Sequence, residues 1–227
     1  MLVKEWMSKD VITIDVEESY LAAAKSMKQN NIRILPVMKR GGLVGIITDR
    51  DLKRASASDA TSLEAHELLY LLSELKASDI MTKHPITVPF DYTIEEAAQI
   101  MLEKKISGLP VMDHDNQVIG IITQSDIFRI LVSMTGLAKR GVLFALRVED
   151  RPGAIREAMD IIRSAGGTAA SILTTYEKAP TGRRNVFFRM YGLDRQALPQ
   201  LKKDLGEKAT LRYWVDLLEN TREIFEE

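Results

Sequence analysis

Residues 45–51 read GIITDRD, and residues 120–126 read GIITQSD. Each is an apolar strand that stops at a threonine, Thr48 or Thr123, with an acid, Asp51 or Asp126, three residues on. Working outward from this pair, a whole unit repeats. Met7 matches Met81, ITIDVEESYLAAAKSM (12–27) matches ITVPFDYTIEEAAQIM (86–101), and Ile34-Leu-Pro-Val-Met38 matches Gly108-Leu-Pro-Val-Met112. The offset is 74 residues up to the turn between the strands and 75 after it, and the copies span residues 5–58 and 79–134.

Each copy predicts the order strand, helix, strand, strand, helix. Tyr20, Ala23, Ala24 and Met27, or Ile94, Ala97, Ala98 and Met101, fall at i, i+3, i+4 and i+7, one stripe of an amphipathic helix. Thr93 and Glu96 make a capping box for the second of these helices. Two apolar strands follow, joined by KRGG in one copy and by DHDNQ in the other, both of which suit a hairpin. Asp113 to Asn116 therefore reads as a turn, not as a ligand cluster. Met7, Met27, Met81, Met101 and Met112 recur at positions expected to be core filler.

The remaining segments divide as follows: repeat one at 1–58, a helical connector at 59–78 that contains SLEAHELLYLL, repeat two at 79–134, and a linker at 135–141. From 142 to 217 the pattern changes to βαββαβ, a ferredoxin-like plan. Its first turn, Asp150-Arg-Pro-Gly153, reads as an N-cap aspartate with proline at the first helical position. Arg183-Arg184 beside Pro180 and Gly182 reads as a solvated loop tip, and 218–227 as an amphipathic helical tail. The fold class is α+β with α/β character.

Composition narrows the chemistry. Lys and Arg number 31 against 32 Asp and Glu, so no chain-wide attraction to nucleic acid or anionic membrane is implied. With no Cys, disulfides and thiolate chemistry are excluded, and three isolated His offer no metal-ligand spacing. No window approaches the ~18 apolar residues of a membrane span, and the start MLVKEWMSKD lacks an apolar signal core. A cytoplasmic location is the default expectation.

T-x-x-D has two physical readings. A strand end, a hydroxyl and a helix N-terminus can receive a phosphate while the carboxylate accepts from ribose hydroxyls. The same four residues also form a capping box that satisfies only its own backbone. Spacing alone favours the second reading, and duplication shifts weight toward the first.

The repeat, with Pro36/Pro110, Gly45/Gly120, Thr48/Thr123 and Asp51/Asp126 in register, resembles the CBS domain, and two copies resemble the tandem pair called a Bateman module. The resemblance implies clefts between the copies for adenine nucleotides or S-adenosylmethionine. It implies one cleft of Thr48, Asp51, Arg33 and Arg50 with Ile86 and Ile106, and another of Thr123, Asp126 and Ser107 with Ile12 and Ile32. The isoleucines would hold adenine by apolar contact and backbone hydrogen bonds. Arg33 and Arg50 would draw phosphates to the first cleft.

The C-terminal unit resembles the ACT domain, which implies an amino or small hydroxy acid near Asp150, Pro152, Gly153 and Ala154, and pairing with a second copy. The whole chain is similar to the bacterial acetoin-utilisation protein family, which joins these modules. The function so implied is a homodimeric regulatory sensor that needs no cofactor, takes an adenine nucleotide as regulatory ligand and signals to an unidentified protein. A ligand-free scaffold and an enzyme of acetoin or nucleotide metabolism are the alternatives. No nucleophile-base pair, metal cluster or Gly-rich phosphate loop supports the enzyme.

Overall fold

A computed structural model describes residues 1–58 and 65–225, apart from the side chains of 57–69. The chain forms two compact units, Met1–Phe128 and Arg129–Glu227. In the first, α1 (Val3–Trp6) and β1 (Ile14–Asp15) lead into α2 (Tyr20–Gln29), β2 (Ile34–Lys39), β3 (Gly42–Thr48) and α3 (Asp49–Ser58). The connector helix is α4 (Ala65–Glu74); its expected first residues, 62–64, lie outside the described residues. Then come α5 (Ala77–Ile80), β4 (Thr82–Lys83), β5 (Val88–Pro89), α6 (Ile94–Lys104), β6 (Gly108–Met112), β7 (Val118–Thr123) and α7 (Gln124–Met134). The boundary between the units falls inside α7.

Each hairpin closes through turn residues that tolerate left-handed backbone. Arg40 and Gly41 take φ of 51° and 82°, and Asn116 takes 57° while Asp113 Oδ1 accepts the amides of Asp115 and Gln117 at 3.0 and 2.8 Å. The helical stripes face inward: Tyr20, Ala23 and Met27, and Ile94, Ala97 and Met101, are buried with Leu35, Val37 and Ile47 or Leu109, Val111 and Ile122 from the strands. The methionines divide. Met27 and Met101 are buried core, whereas Met7, Met81 and Met112 are half-buried, and Met7 and Met81 fill the space beside Gly120 and Gly45.

Met7 and Met81 belong to an exchange. The segment that leads into the second repeat does not join its own sheet; β4 pairs with β3 of the first, Ile46 opposite Thr82. Reciprocally, Ser8 and Ile121 exchange hydrogen bonds of 2.9 and 3.0 Å, so the lead of the first repeat extends the sheet of the second. Gly45 and Gly120 have no side chain because the partner repeat's methionine occupies that space: a Cβ there would collide with Met81 Sδ or Met7 Sδ. The helices α1 and α5 follow the same rule, with Val3 and Lys4 donating to Tyr92 and Phe90 carbonyls at 2.8 and 3.0 Å, and Ala77 and Ser78 to Glu18 and Val16 at 2.7 and 3.1 Å.

The second unit contains β8 (Val142–Glu149), α8 (Ala154–Ser164), β9 (Thr168–Thr175), β10 (Arg183–Tyr191), α9 (Leu198–Lys208), β11 (Thr210–Asp216) and β12 (Thr221–Ile224). Its sheet is antiparallel in the order β12-β11-β8-β10-β9, and the core-facing rows Val142, Phe144, Leu146 and Val148, and Val186, Phe188 and Met190, cluster with Ala158 and Ile162 of α8 and Leu201 and Leu205 of α9. The βαββαβ order is present, with a strand added.

Three expectations are corrected here. The tail is not a helix: Tyr213 to Asp216 pair with Ile224 to Thr221, because Lys202 lies 4.0 Å over the Trp214 ring and bonds both Glu223 oxygens at 3.0 Å, which holds the last strand against β11. Arg183 and Arg184 are not a loop tip but begin β10, and Arg184 lies 3.5 Å from Asp150. The stretch 135–141, expected as a linker, falls inside the second unit: the Thr135 carbonyl accepts from Arg189 Nε at 2.6 Å and Ser171 Oγ at 2.8 Å, and residues Leu137–Lys139 form a 3-10 turn. Burial of Arg189 lowers its pKa from the usual arginine range.

At the end of β11, Asp216 is 1% exposed. Burial alone would raise its pKa, but the two-pronged Arg195 guanidinium and the amides of Leu218 and Glu219 outweigh burial and hold it below the ordinary carboxylate value. A carboxylate with a depressed folded pKa adds stability above its unfolded value, about 3.9, and that stability is lost as pH falls through the folded value. Trp214 fluorescence in a Trp6→Phe background should therefore report a parent more stable than Asp216→Asn at pH 7, with the gap closing below about pH 4. A gap that persists unchanged to pH 2 would remove this role for Asp216.

The exchange makes a second expectation. Deleting residues 1–9 should strip protection from the sheet of the other repeat, so hydrogen exchange at 118–123 should accelerate far more than at 34–48. Faster exchange in the first repeat's own strands would contradict the exchange.

Candidate functional site

Strands β3 and β7 end at Thr48 and Thr123, and α3 and α7 begin on the next residue, so each T-x-x-D straddles a strand end and a helix start. The two motifs are superimposable in their bonds. Thr48 donates its amide and hydroxyl to Asp51 Oδ2 at 2.9 and 2.6 Å, and Asp51 returns its amide to Thr48 Oγ1 at 3.3 Å. Thr123 and Asp126 give the same three distances. Both carboxylates are buried, at 8% and 7% exposure. The capping box is closed in both copies.

Beside the first motif lies a cleft of about 490 Å³, a size that holds a small organic ligand. Thr48, Arg50 and Asp51 line it from the first repeat and Ile86, Ile106 and Ser107 from the second. Arg33 is not among its lining residues and Ser107 is, the reverse of the assignment the resemblance implied. Ile12 and Ile32 pack against the core of the first repeat, and Thr123 and Asp126 form the image motif. Ile86, 40% exposed, offers apolar surface, whereas the Ile106 amide already donates to Met101 at 3.1 Å and its carbonyl accepts Gln124 Nε2 at 3.2 Å.

Sequence reasoning missed Arg54, His84 and Lys105, which also line the cleft. Arg54 Nη2 donates to Asp51 Oδ1 at 3.0 Å. Lys105 caps α6 in left-handed backbone, φ 55°, and its counterpart Asn31, one residue past the α2 cap Asn30, takes 51°. Asparagine is a common resident of that conformation, while a lysine there costs on the order of 1 kcal/mol. A sequence signal existed: the two copies differ at this point, Lys105 against Asn31, and again at His84 against Asp10.

In the second unit, Gly153, not Asp150, caps α8, at φ 90°, and Pro152 precedes the helix instead of starting it. Asp150 is fixed otherwise, by Gly182 O from its amide at 2.9 Å and by the Tyr176 hydroxyl at 3.3 Å. Asp150, Pro152 and Gly153 are exposed and Ala154 is buried. Arg151 forks onto Glu157 at 2.7 and 2.6 Å, and the cavity beside Ala154 is about 20 Å³, room for one water.

Comparison with known proteins fits this geometry. The family model described as the CBS domain matches residues 3–58 and 77–133. A CBS domain-containing protein of Dictyostelium discoideum is 38% identical over 135 residues, 59% of this chain and 93% of the relative. An inosine-5′-monophosphate dehydrogenase of Korarchaeum cryptofilum is 36% identical over 125 residues, 55% of this chain but only 23% of the enzyme. A solved CBS domain pair in complex with 5′-methylthioadenosine and S-adenosyl-L-methionine shares 35% identity at a TM-score of 0.50, covering 58% of this chain and 95% of its own. With both repeats matched, the exchanged sheets in place and a relative covered almost end to end, the chain belongs to the CBS domain family and carries the domain as a tandem pair.

Proposed function

We propose that this protein is a regulatory sensor whose cleft between the CBS repeats takes a small molecule bearing adenosine. The observation that carries the reading is the cleft itself: isoleucines of both repeats supply an apolar slot, and Asp51 stands at its edge with a carboxylate able to accept ribose hydroxyls. The related pair solved with two adenosine ligands supports it. A ligand bridging both repeats would favour whichever arrangement of the pair closes on it, which is how binding becomes a signal. The dehydrogenase relative contributes no catalytic reading, since the match spans under a quarter of it.

The second unit enters the proposal as an ACT-like module that pairs two copies and receives an amino or small hydroxy acid at Asp150–Ala154. Its antiparallel sheet with both helices packed in one core supports this. Regulation of a partner protein, with acetoin use as one setting, completes the proposal on the resemblance read from the sequence alone. Light scattering should return twice the 25.5 kDa chain mass; a monomer at micromolar concentration would remove the pairing.

One observation favours a ligand-free scaffold: Thr48 and Asp51 already satisfy each other. Melting curves separate the readings. A ligand at a hundredfold excess over Kd adds about 2.7 kcal/mol, which should raise the transition of the first unit by roughly 5 to 11 °C with adenosine, AMP, 5′-methylthioadenosine or S-adenosylmethionine. Asp51→Ala should lower the baseline by about 1 kcal/mol as a lost cap and abolish most of the shift. No shift with any of the four would establish the scaffold reading instead.

A further inference from the structure

The cleft's charge is not duplicated along with its T-x-x-D motif. Because the copies are related by an offset of 74 residues before the hairpin turn and 75 after it, the lining residues have counterparts around the image motif: Arg50 becomes Ser125, Lys105 becomes Asn31, and His84 becomes Asp10. The equivalence is structural as well as sequential. Lys105 and Asn31 share the same left-handed backbone, and the two capping boxes share their distances. In the other direction Ser107 becomes Arg33, and Arg54 keeps an arginine, Arg129, as its counterpart, so two arginines with Asp10 stand in the image positions where the first cleft has three cations and a histidine.

Which groups could meet an anion in the first cleft follows from the hydrogen bonds already made. The Thr48 hydroxyl proton is committed to Asp51, the Asp49 amide to the Arg33 carbonyl at 3.1 Å, and the Asp51 amide to Thr48. The hydroxyl and two first-turn amides are thus already engaged within the protein, and Arg54 is engaged by Asp51. Arg50 and Lys105 are both exposed, and among the described residues neither forms an ion pair. They are point and fork charges with free donors, and the His84 ring adds a further N–H.

Resting on the adenosine reading above, we infer that the pair sorts its ligands by charge. The Thr48–Asp51 cleft selects phosphate-bearing adenosine compounds through Lys105 and Arg50 with His84, and the image around Thr123–Asp126, with Asn31, Ser125 and Asp10, has no such preference. Lys105 and Arg50 are specificity-determining residues, and the left-handed backbone at Lys105 is kept for the charge it presents in the cleft.

Calorimetric titration of the full chain with adenosine, AMP and ATP tests this. The parent should bind AMP roughly tenfold or more tightly than adenosine, an advantage that shrinks as salt rises. The double variant Lys105→Asn with Arg50→Ser should bind AMP no better than adenosine. Lys105→Asn alone should melt no lower than the parent, since asparagine suits that backbone, which guards against misfolding as an explanation. Equal affinities for adenosine and AMP in the parent, or a preference that survives the double variant, would overturn charge sorting and leave the adenosine reading standing. Failure of all three compounds to bind the parent would overturn both.

Discussion

Neither CBS repeat has a complete sheet of its own. The hairpin of β2 and β3 has the two-residue β1 of its own repeat on one edge and β4 of the other repeat on the second, and that of β6 and β7 has β5 on one edge and Ser8 of the other repeat on the second. A two-stranded hairpin with a short third strand is marginal in water, so each copy's stability is lent by the other. The glycines at 45 and 120 exist for this: each leaves room for a methionine from across the seam. The cleft lies between residues of both repeats, and its two walls are fixed to each other by the strands that cross over.

The T-x-x-D motif shows how one arrangement serves two ends. Its hydrogen bonds are those of a helix cap, and they are complete without a ligand. Because the threonine hydroxyl donates to the aspartate, the carboxylate is held at one rotamer with Oδ1 turned away from the cap, where Arg54 reaches it. A cap thus positions an acceptor in advance, and a ligand would meet an already ordered carboxylate. Capping and binding were opposed as readings of the spacing; in the folded protein the first is the means by which the second could be preorganised.

Much of this was legible in the residues. The duplication, the helical stripes at 20–27 and 94–101, the turn at Asp113 and the βαββαβ order all follow from local pattern, because each is set by residues near one another in the chain. What failed was non-local. Nothing in the repeat itself says which copy's Arg33 or Ser107 faces which cleft, since that is decided by the crossing of the lead segments. The tail read as a helix because Leu217, Leu218 and Phe225 are apolar; a strand forms there because it folds back on β11, with Trp214 opposite Glu223, and Lys202, 21 residues away, holds Glu223. Lys105 and His84 carry no motif, and only a cavity identifies them.

The added strand β12 also bears on how the protein behaves in crowded solution. Without it, β11 would present Leu211, Tyr213 and Val215 along a bare edge, a template for pairing with any other strand. The strand that covers it is four residues long and carries Arg222 and Glu223, a length and charge that discourage further addition. At the opposite edge β9 runs eight residues, TAASILTT, without a charge. That edge lacks the shortness and the charge that blunt β12, and the contact it does have is with the preceding turn, where Ser171 Oγ donates to the Thr135 carbonyl.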